Sequence, residues 1–387
     1  LNELNEEFEA EVSFVGRIVK NNLVILLAAV GVLVSMVIVP PSMRYVEYLN
    51  GPVLGILFCL MVVIGGFRES GVFSVLLSRL LLRLGTFRQL AMVLVFSCFF
   101  VSMWVTNDVS LLTFVPFALL SLRRVASEKE MAVVISLQTI AANLGSMCTP
   151  VGNPQNLYLY FHYALNLGEF MALLLPYTIA AMIMLAASVF LLPNRRISIS
   201  ARLAARRAEK VPLMASPRQL WMLGALFFLS LLTVAHLLDY RITLAVVVLV
   251  TALMVPRYFR YVDYRLLGTF VAFFILIGNI SQWEAFRQIL AAFLTGHEFL
   301  VAIFASQVIS NVPAAVLLSG FTDNAAALLL GTDIGGLGTL IASMASLISY
   351  GIFVRAYPRR QGYFLKIFTA LNVAYLLFFI VFAAVAF

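Results

Sequence analysis

Between Leu90 and Leu122 the chain carries one charged side chain, Asp108, in the middle of the stretch Trp104-Val105-Thr106-Asn107-Asp108-Val109. A carboxylate at the centre of a bilayer costs about 3 kcal/mol or more. The flanking lengths restrict how it can be placed there. Leu90 to Val105 makes 16 residues, about 24 Å of helix, and Val109 to Leu122 makes 14, about 21 Å. Neither flank crosses a hydrocarbon core of about 30 Å, and one helix spanning both is far too long. A helical hairpin that enters and leaves by one face, with Thr106-Asn107-Asp108 at its tip, fits both lengths. The shorter arms around Ser310-Asn311-Val312 read the same way. Irregular backbone at membrane depth is tolerated only where it lines a cavity or is buried in protein.

Of the 387 residues, 63% are hydrophobic and 11% charged. Soluble domains have about 45–50% apolar and about 25% charged residues. The chain is therefore an all-α polytopic membrane protein with the lipid bilayer as its surroundings. A barrel is excluded because the apolar segments are continuous rather than alternating. The net charge of +8 is assigned to cytoplasmic loops and not to nucleic acid. Cys59, Cys98 and Cys148 lie in apolar segments, and His162, His236 and His297 are scattered, so no metal centre or organic cofactor is expected. Residues 1–22 are acidic and amphipathic, without a secretory leader pattern.

The chain repeats itself. Arg44-Tyr45-Val46-Glu47-Tyr48 matches Arg260-Tyr261-Val262-Asp263-Tyr264, and Ile64-Gly65-Gly66 matches Ile277-Gly278-Asn279. Amphipathic stretches follow near 68–85 and 282–296. Thr106-Asn107 then answers Ser310-Asn311, and Asn143-Leu144-Gly145-Ser146-Met147 answers Gly336-Leu337-Gly338-Thr339-Leu340. Four crossings in residues 23–192, with a hairpin at about 90–122 and a broken helix at about 131–160, form the first unit. A basic loop at 193–218 and a linking span at 219–240 follow. Four more crossings in 241–387, with a hairpin at about 299–330 and a broken helix at about 334–354 that Asp333 opens, form the second. That parity makes the repeat inverted. With loop 195–218 in the cytoplasm and the C-terminus outside, only Arg44, Arg241 and Arg287 of the 26 Lys and Arg fall on the outer side. Such an asymmetry is expected of a protein in the cytoplasmic (inner) membrane.

Four polar, helix-breaking patches fall at matching places: 106–108, 149–156, 310–313 and 331–339 with its continuation. Gly152, Pro154, Gly335, Gly336 and Gly338 unwind the broken helices in mid-span. Unwound turns free carbonyls for a desolvated cation and present helix N-termini to an anion. Thr106, Asn107, Asn153, Gln155, Asn156, Ser310, Asn311, Gly338, Thr339 and Ser343 are the candidate substrate-binding residues. Asn107, Asp108, Gly152, Asn311, Asp333 and Gly335 are the coupling-ion candidates, with Asn107, Gly152 and Asn311 as Na+ ligands. Ser146, Thr149 and Ser346 serve close packing equally well. Glu47 and Asp263 have structural roles, and Trp221 and Trp283 read as interfacial anchors.

This arrangement resembles the ion transporter superfamily, which holds divalent-anion/Na+ symporters, citrate carriers, arsenite permeases and D-type Na+/H+ antiporters. In the symporter branch each hairpin tip carries Ser-Asn-Thr. Here Thr106-Asn107-Asp108 and Ser310-Asn311-Val312 keep the Asn and lose the final Thr. Gly152-Asn153-Pro154-Gln155-Asn156 matches the end of that branch's GGxGTLxGxPPN-like break, and Gly335 to Leu340 its start. The Asn107-Asp108 pair followed by Pro116 looks more like the arsenite-permease and antiporter branch. The resemblance implies an elevator-type carrier within a homodimer: a transport domain of hairpins and broken helices slides against a scaffold, joined to it by the amphipathic stretches.

The expected function is ion-coupled secondary active transport of a small anion, carboxylate or oxyanion, with Na+ or H+ as coupling ion. Arsenite or antimonite efflux and Na+/H+ antiport are the alternatives within the same architecture. An intramembrane aspartyl protease using Asp108 and Asp333, or a passive channel, is a more distant one. No enzyme activity is expected.

Overall fold

The computed structural model describes residues 28–37, 39–81, 84–123, 125–197 and 215–386. The N-terminal segment 1–22 and most of the basic loop, residues 198–214, lie outside the described residues. All regular structure among the described residues is helical, apart from one bridge between Thr86 and Arg196.

In chain order the helices are α1 (Ala28–Val37), α2 (Arg44–Glu47), α3 (Gly51–Ser70), α4 (Val72–Leu81), α5 (Phe87–Ser102), α6 (Asn107–Leu122), α7 (Glu128–Ser146), α8 (Pro154–His162) and α9 (Leu167–Phe190). The second half has α10 (Pro217–Val234), α11 (Tyr240–Met254), α12 (Tyr264–Ser281), α13 (Glu284–Leu294), α14 (Glu298–Ile309), α15 (Asn311–Ser319), α16 (Ala325–Gly335), α17 (Met344–Ala356) and α18 (Gln361–Ala386). Local chemistry sets the boundaries. Thr86 with Gln89, Ser127 with Glu130 and Ser216 with Gln219 form capping boxes at the starts of α5, α7 and α10. Asn50, Asn153, Asn166 and Asn324 cap α3, α8, α9 and α16, satisfying N–H groups that have no partner within the helix. Asp263 caps α12, accepting from the Arg265 and Leu266 N–H groups. That is the structural role read for it above.

Helices α3, α9, α10, α12, and α18 with the turn before it, are each long and apolar enough to cross a membrane. The protein is a multi-pass membrane protein. One sequence expectation is corrected. The second broken helix does not open at Asp333 near residue 334. Its first half is α16, an alanine- and leucine-rich run with high helix propensity, and the break follows Gly335. Asp333 thus ends a half-helix. The second hairpin is correspondingly shorter than expected, with α15 stopping at Ser319.

Contacts between chain-distant residues gather the helix ends. Arg195 donates to Glu130 at the start of α7 and to the Val125 carbonyl after α6. Its guanidinium also lies 4.8 Å from the Phe87 ring at the start of α5. Both ends of the α5–α6 pair are therefore at the same end of the molecule. For α14–α15, Thr322 donates to Glu298 at 3.4 Å, and Tyr163, just past α8, donates to the Thr322 carbonyl at 2.7 Å. The α7–α8 pair runs between these two ends.

Two apolar cores form. The larger involves most helices. The smaller is made by α3, α10, α11 and the turn Pro256–Tyr261, around Cys59, Val63, Leu223, Leu226, Val247 and Tyr258. Close approaches link the two halves reciprocally. Tyr48 packs on Gly278, and Tyr45 accepts from Asn279 at 2.9 Å. Tyr261 packs on Gly65 and Tyr258 on Gly66.

Candidate functional site

Each hairpin tip is tied to a helix break by main-chain contacts. The Asn107 N–H donates to the Gly152 carbonyl at 3.1 Å, and the Asn311 N–H to the Ala342 carbonyl at 3.0 Å. The Asn107 side-chain oxygen accepts from the Asp108 N–H, and that of Asn311 from the Val312 N–H. Thr149 Oγ1 donates to the Met103 carbonyl, and Thr339 Oγ1 to that of Gln307. The close approaches match too. A Cβ on Gly145 would run into the Phe99 carbonyl and Ser102 Oγ; one on Gly335 would run into Ser306 Oγ. Thr149 and Thr339, Gly152 and Ala342, and Gly145 and Gly335 all stand 190 residues apart. The sequence reading had set these segments 193 apart, pairing Asn143 with Gly336. In the contacts Asn143 answers Asp333.

The breaks are then joined to each other. Asn143 Nδ2 donates to the Gly336 carbonyl at 3.2 Å, and its Oδ1 accepts from Ser343 Oγ at 3.1 Å and Asn107 Nδ2 at 3.0 Å. In the mirrored contact Asn153 Nδ2 donates to Asp333 Oδ1 at 3.0 Å, with Gln155 Nε2 on the same oxygen at 3.3 Å. Asn153 Oδ1 meanwhile caps α8 through the Asn156 N–H. Asn107, Asn143, Asn153, Gln155, Asn156, Asn311, Asp333 and Ser343 are all buried. So the tips, the breaks and the amides form one connected polar cluster, as buried polar groups must.

The remaining expected residues sit around it. Ser310 takes φ 76° and ψ 153°, and its Oγ reaches the Ala342 carbonyl at 3.5 Å. Gly338 takes φ 100° in the second break, and the Thr339 N–H donates to Gln307 Oε1. Thr106 stands at the head of α6 without a side-chain cap bond. Asp108 follows Asn107 on α6, half-buried, and its carboxylate takes no part in the cross-links. Gly152 and Gly335 each have a carbonyl that accepts a hydrogen bond, from Asn107 N–H and Gln307 Nε2.

Three residues escaped the sequence reading. Asn143 had entered only as part of a repeat match. Gln307 braces the second break by donating to the Gly335 and Leu337 carbonyls. Gln138 bonds from α7 to the Leu94 carbonyl at 3.3 Å and the Phe114 carbonyl at 3.5 Å, one on each arm of the first hairpin. An amide inside an apolar helix, buried at Gln138 and Asn143 and half-buried at Gln307, is the signal all three share. Among the described residues no group of His, Cys, Asp and Glu has the makings of a metal centre.

Helical hairpins whose tips meet the breaks of two further helices, in a multi-pass membrane protein, define a transporter rather than an enzyme. Comparison with known proteins agrees. The citrate transporter family model matches residues 12–330, so the chain belongs to that family, within the ion transporter superfamily. Inner membrane protein YbiR of Escherichia coli is 31% identical over 297 residues, 75% of this chain and 76% of that one. Uncharacterized transporter MJ0456 of Methanocaldococcus jannaschii is 29% identical over 325 residues, covering 83% and 86%. Silicon efflux transporter LSI3 of Oryza sativa subsp. japonica is 33% identical over 133 residues, covering 34% and 27%.

Proposed function

We propose that the protein is an ion-coupled secondary active transporter that carries a small anion, carboxylate or oxyanion, across the cytoplasmic membrane by an elevator movement. The observation that carries this reading is the convergence of four helix N-termini. Helices α6, α15, α8 and α17 begin at Asn107, Asn311, Pro154 and Met344, all within the connected cluster. N-terminal N–H groups and dipoles favour negative charge, and among the described residues no Lys or Arg bonds across the cluster. Amides, hydroxyls and a co-bound cation supply the rest of the anion's coordination.

The paired contacts 190 residues apart support an inverted repeat, with the two hairpins re-entrant from opposite membrane faces. Helices α5–α9 and α14–α18 form the moving block. The small core around α3, α10 and α11 belongs to the scaffold, and α4 and α13 are the arms between them. The resemblance to the superfamily supports a homodimer. Loop 195–218 lies in the cytoplasm by its charge.

A second reading, export of an uncharged oxyacid such as arsenous acid, is favoured by the relative named a silicon efflux transporter and by the carboxylates of Asp108 and Asp333. Proteoliposome uptake of labelled citrate, sulfate and arsenite under imposed Na+ or pH gradients tests both. The expected result is accumulation of one anion above its external concentration, dependent on one gradient. Flux that ignores both gradients and stops at equal concentrations would mean a channel.

A further inference from the structure

The link between the two breaks is lopsided. In one half Asn143 is satisfied on both side-chain atoms. In the other, Asp333 is 2% exposed and accepts two hydrogen bonds on Oδ1, while Oδ2 has no partner. Nearby on α8, Asn156 Nδ2 donates to the Met147 carbonyl at 3.4 Å, while its Oδ1, fully buried, also has no partner. A buried acceptor without a protein partner calls for an explanation, and on a carboxylate that explanation must deal with its charge. An unpartnered oxygen on a buried carboxylate calls for a positive charge, because an isolated buried carboxylate is strongly disfavoured.

Among the described residues on the helices packed around it, no side chain supplies that charge. Helix α16 packs against α7, α8, α14, α15 and α18. On α14, Glu298 pairs with Thr322 at the far end of the hairpin. On α8, Tyr158 and His162 bond to Ser319. On α18, Tyr375 bonds to Ser188, and Tyr363 and Lys366 are exposed. The charged residues of α7, Glu128, Lys129 and Glu130, are in its first turn beside Arg195 and Arg360, and α15 has no titratable residue.

We propose that Asp333 holds the coupling charge of this carrier: one monovalent cation, H+ or Na+, bound at Asp333 Oδ2. The proposal rests on reading the chain as a coupled transporter, and it assigns the coupling to one half of the paired cluster, where Asn143 keeps the other half neutral. Binding satisfies the orphaned Oδ2 and neutralises the carboxylate that joins α16 to α8 and the residue before it. The loaded block then crosses the membrane without a bare charge, and the empty one is penalised.

The test needs no knowledge of the substrate. Thermal melting of the purified protein in detergent is compared in NaCl and in choline chloride at equal ionic strength, and across a pH series. The wild type is expected to be stabilised by Na+ if that is the cation, or by falling pH if it is H+, because a ligand that binds the folded state raises its apparent stability. Asp333→Asn, which places in this half what Asn143 is in the other, should lose that response. Glu169→Gln, at an exposed carboxylate of α9, should keep it. A wild type indifferent to both, or an Asp333→Asn variant that responds as the wild type does, overturns the assignment. Should Asp333→Asn not fold, Asp333→Glu decides. The proposal expects its midpoint to move by about tenfold in Na+ or about one pH unit, and an unmoved midpoint refutes it. A wild type that shows the melting response but drives no uptake in proteoliposomes refutes the carrier reading and leaves the bound cation standing.

Discussion

Ser310 is the residue whose conformation is hardest to account for by local preference. At φ 76° and ψ 153° it occupies a region of backbone space used almost only by glycine, at a cost of about 1–3 kcal/mol. Its counterpart Thr106, at φ −51° and ψ 148°, is relaxed. The strain is held in place by neighbours: the Asn311 N–H on the Ala342 carbonyl, and the Ala314 N–H on the Ser310 carbonyl. Strain of this kind gathers at ligand clamps and switches. Ser310→Gly relieves it and should raise the melting temperature, by a gain of about 1–3 kcal/mol less roughly 0.5–1 for the added freedom of the unfolded chain. A variant that melts below the wild type would show that Ser310 Oγ is worth more than the strain.

Among the elements, the break between α5 and α6 is legible from arithmetic alone, because the flanks of Asn107 are each too short to cross a bilayer and together too long for one helix. The breaks were legible from glycine and proline. The register between the two breaks was not. Glycines at 335, 336 and 338 permit more than one alignment with Asn143-Leu144-Gly145. The paired hydrogen bonds of Thr149 with Met103 and Thr339 with Gln307, those on the Gly152 and Ala342 carbonyls, and the close approaches of Gly145 and Gly335 separate them. Asp333 looked like a helix start for the same reason, since the polar residue before a glycine cluster can open a helix or end one. Asn143 and Gln307 were passed over because their partners are carbonyls of other segments, and such carbonyls leave no trace in sequence. Elsewhere an element depends on one surface pair. Arg195 holds the Glu130 carboxyl down at about 2, chiefly by hydrogen bonding to it. The carboxyl therefore adds stability above its ordinary value of 4.5, and that contribution fades as pH falls from there toward 2. Glu130→Gln should melt lower than the wild type at pH 7 by a small margin, as the pair is partly solvated. The gap should close in acid. A gap undiminished between pH 7 and pH 3 would place its origin in the capping box with Ser127.

For the whole molecule, the account depends on two halves meeting at one cluster. Tyr45 and Tyr48 lie on the Gly278-Asn279 end of α12, and Tyr258 and Tyr261 on the Gly65-Gly66 end of α3. Each half thus clasps a helix of the other, and the RYVEY and RYVDY segments noticed in the sequence lie at those clasps. At the centre, Asn107 and Asn311 sit at equivalent tips, each bonded to its own break, and Asn143 and Asp333 tie the breaks together. A site shared in this way fails when either tip is lost. The most direct measurement is gradient-driven accumulation of the transported anion in proteoliposomes by Asn107→Ala and Asn311→Ala. Each variant's folding would be checked by monodispersity and melting. The account predicts that each folded variant falls below about 1% of wild-type accumulation, since removing a buried amide that anchors ligand and backbone costs about 3 kcal/mol or more. Normal accumulation by either folded variant would contradict the shared site.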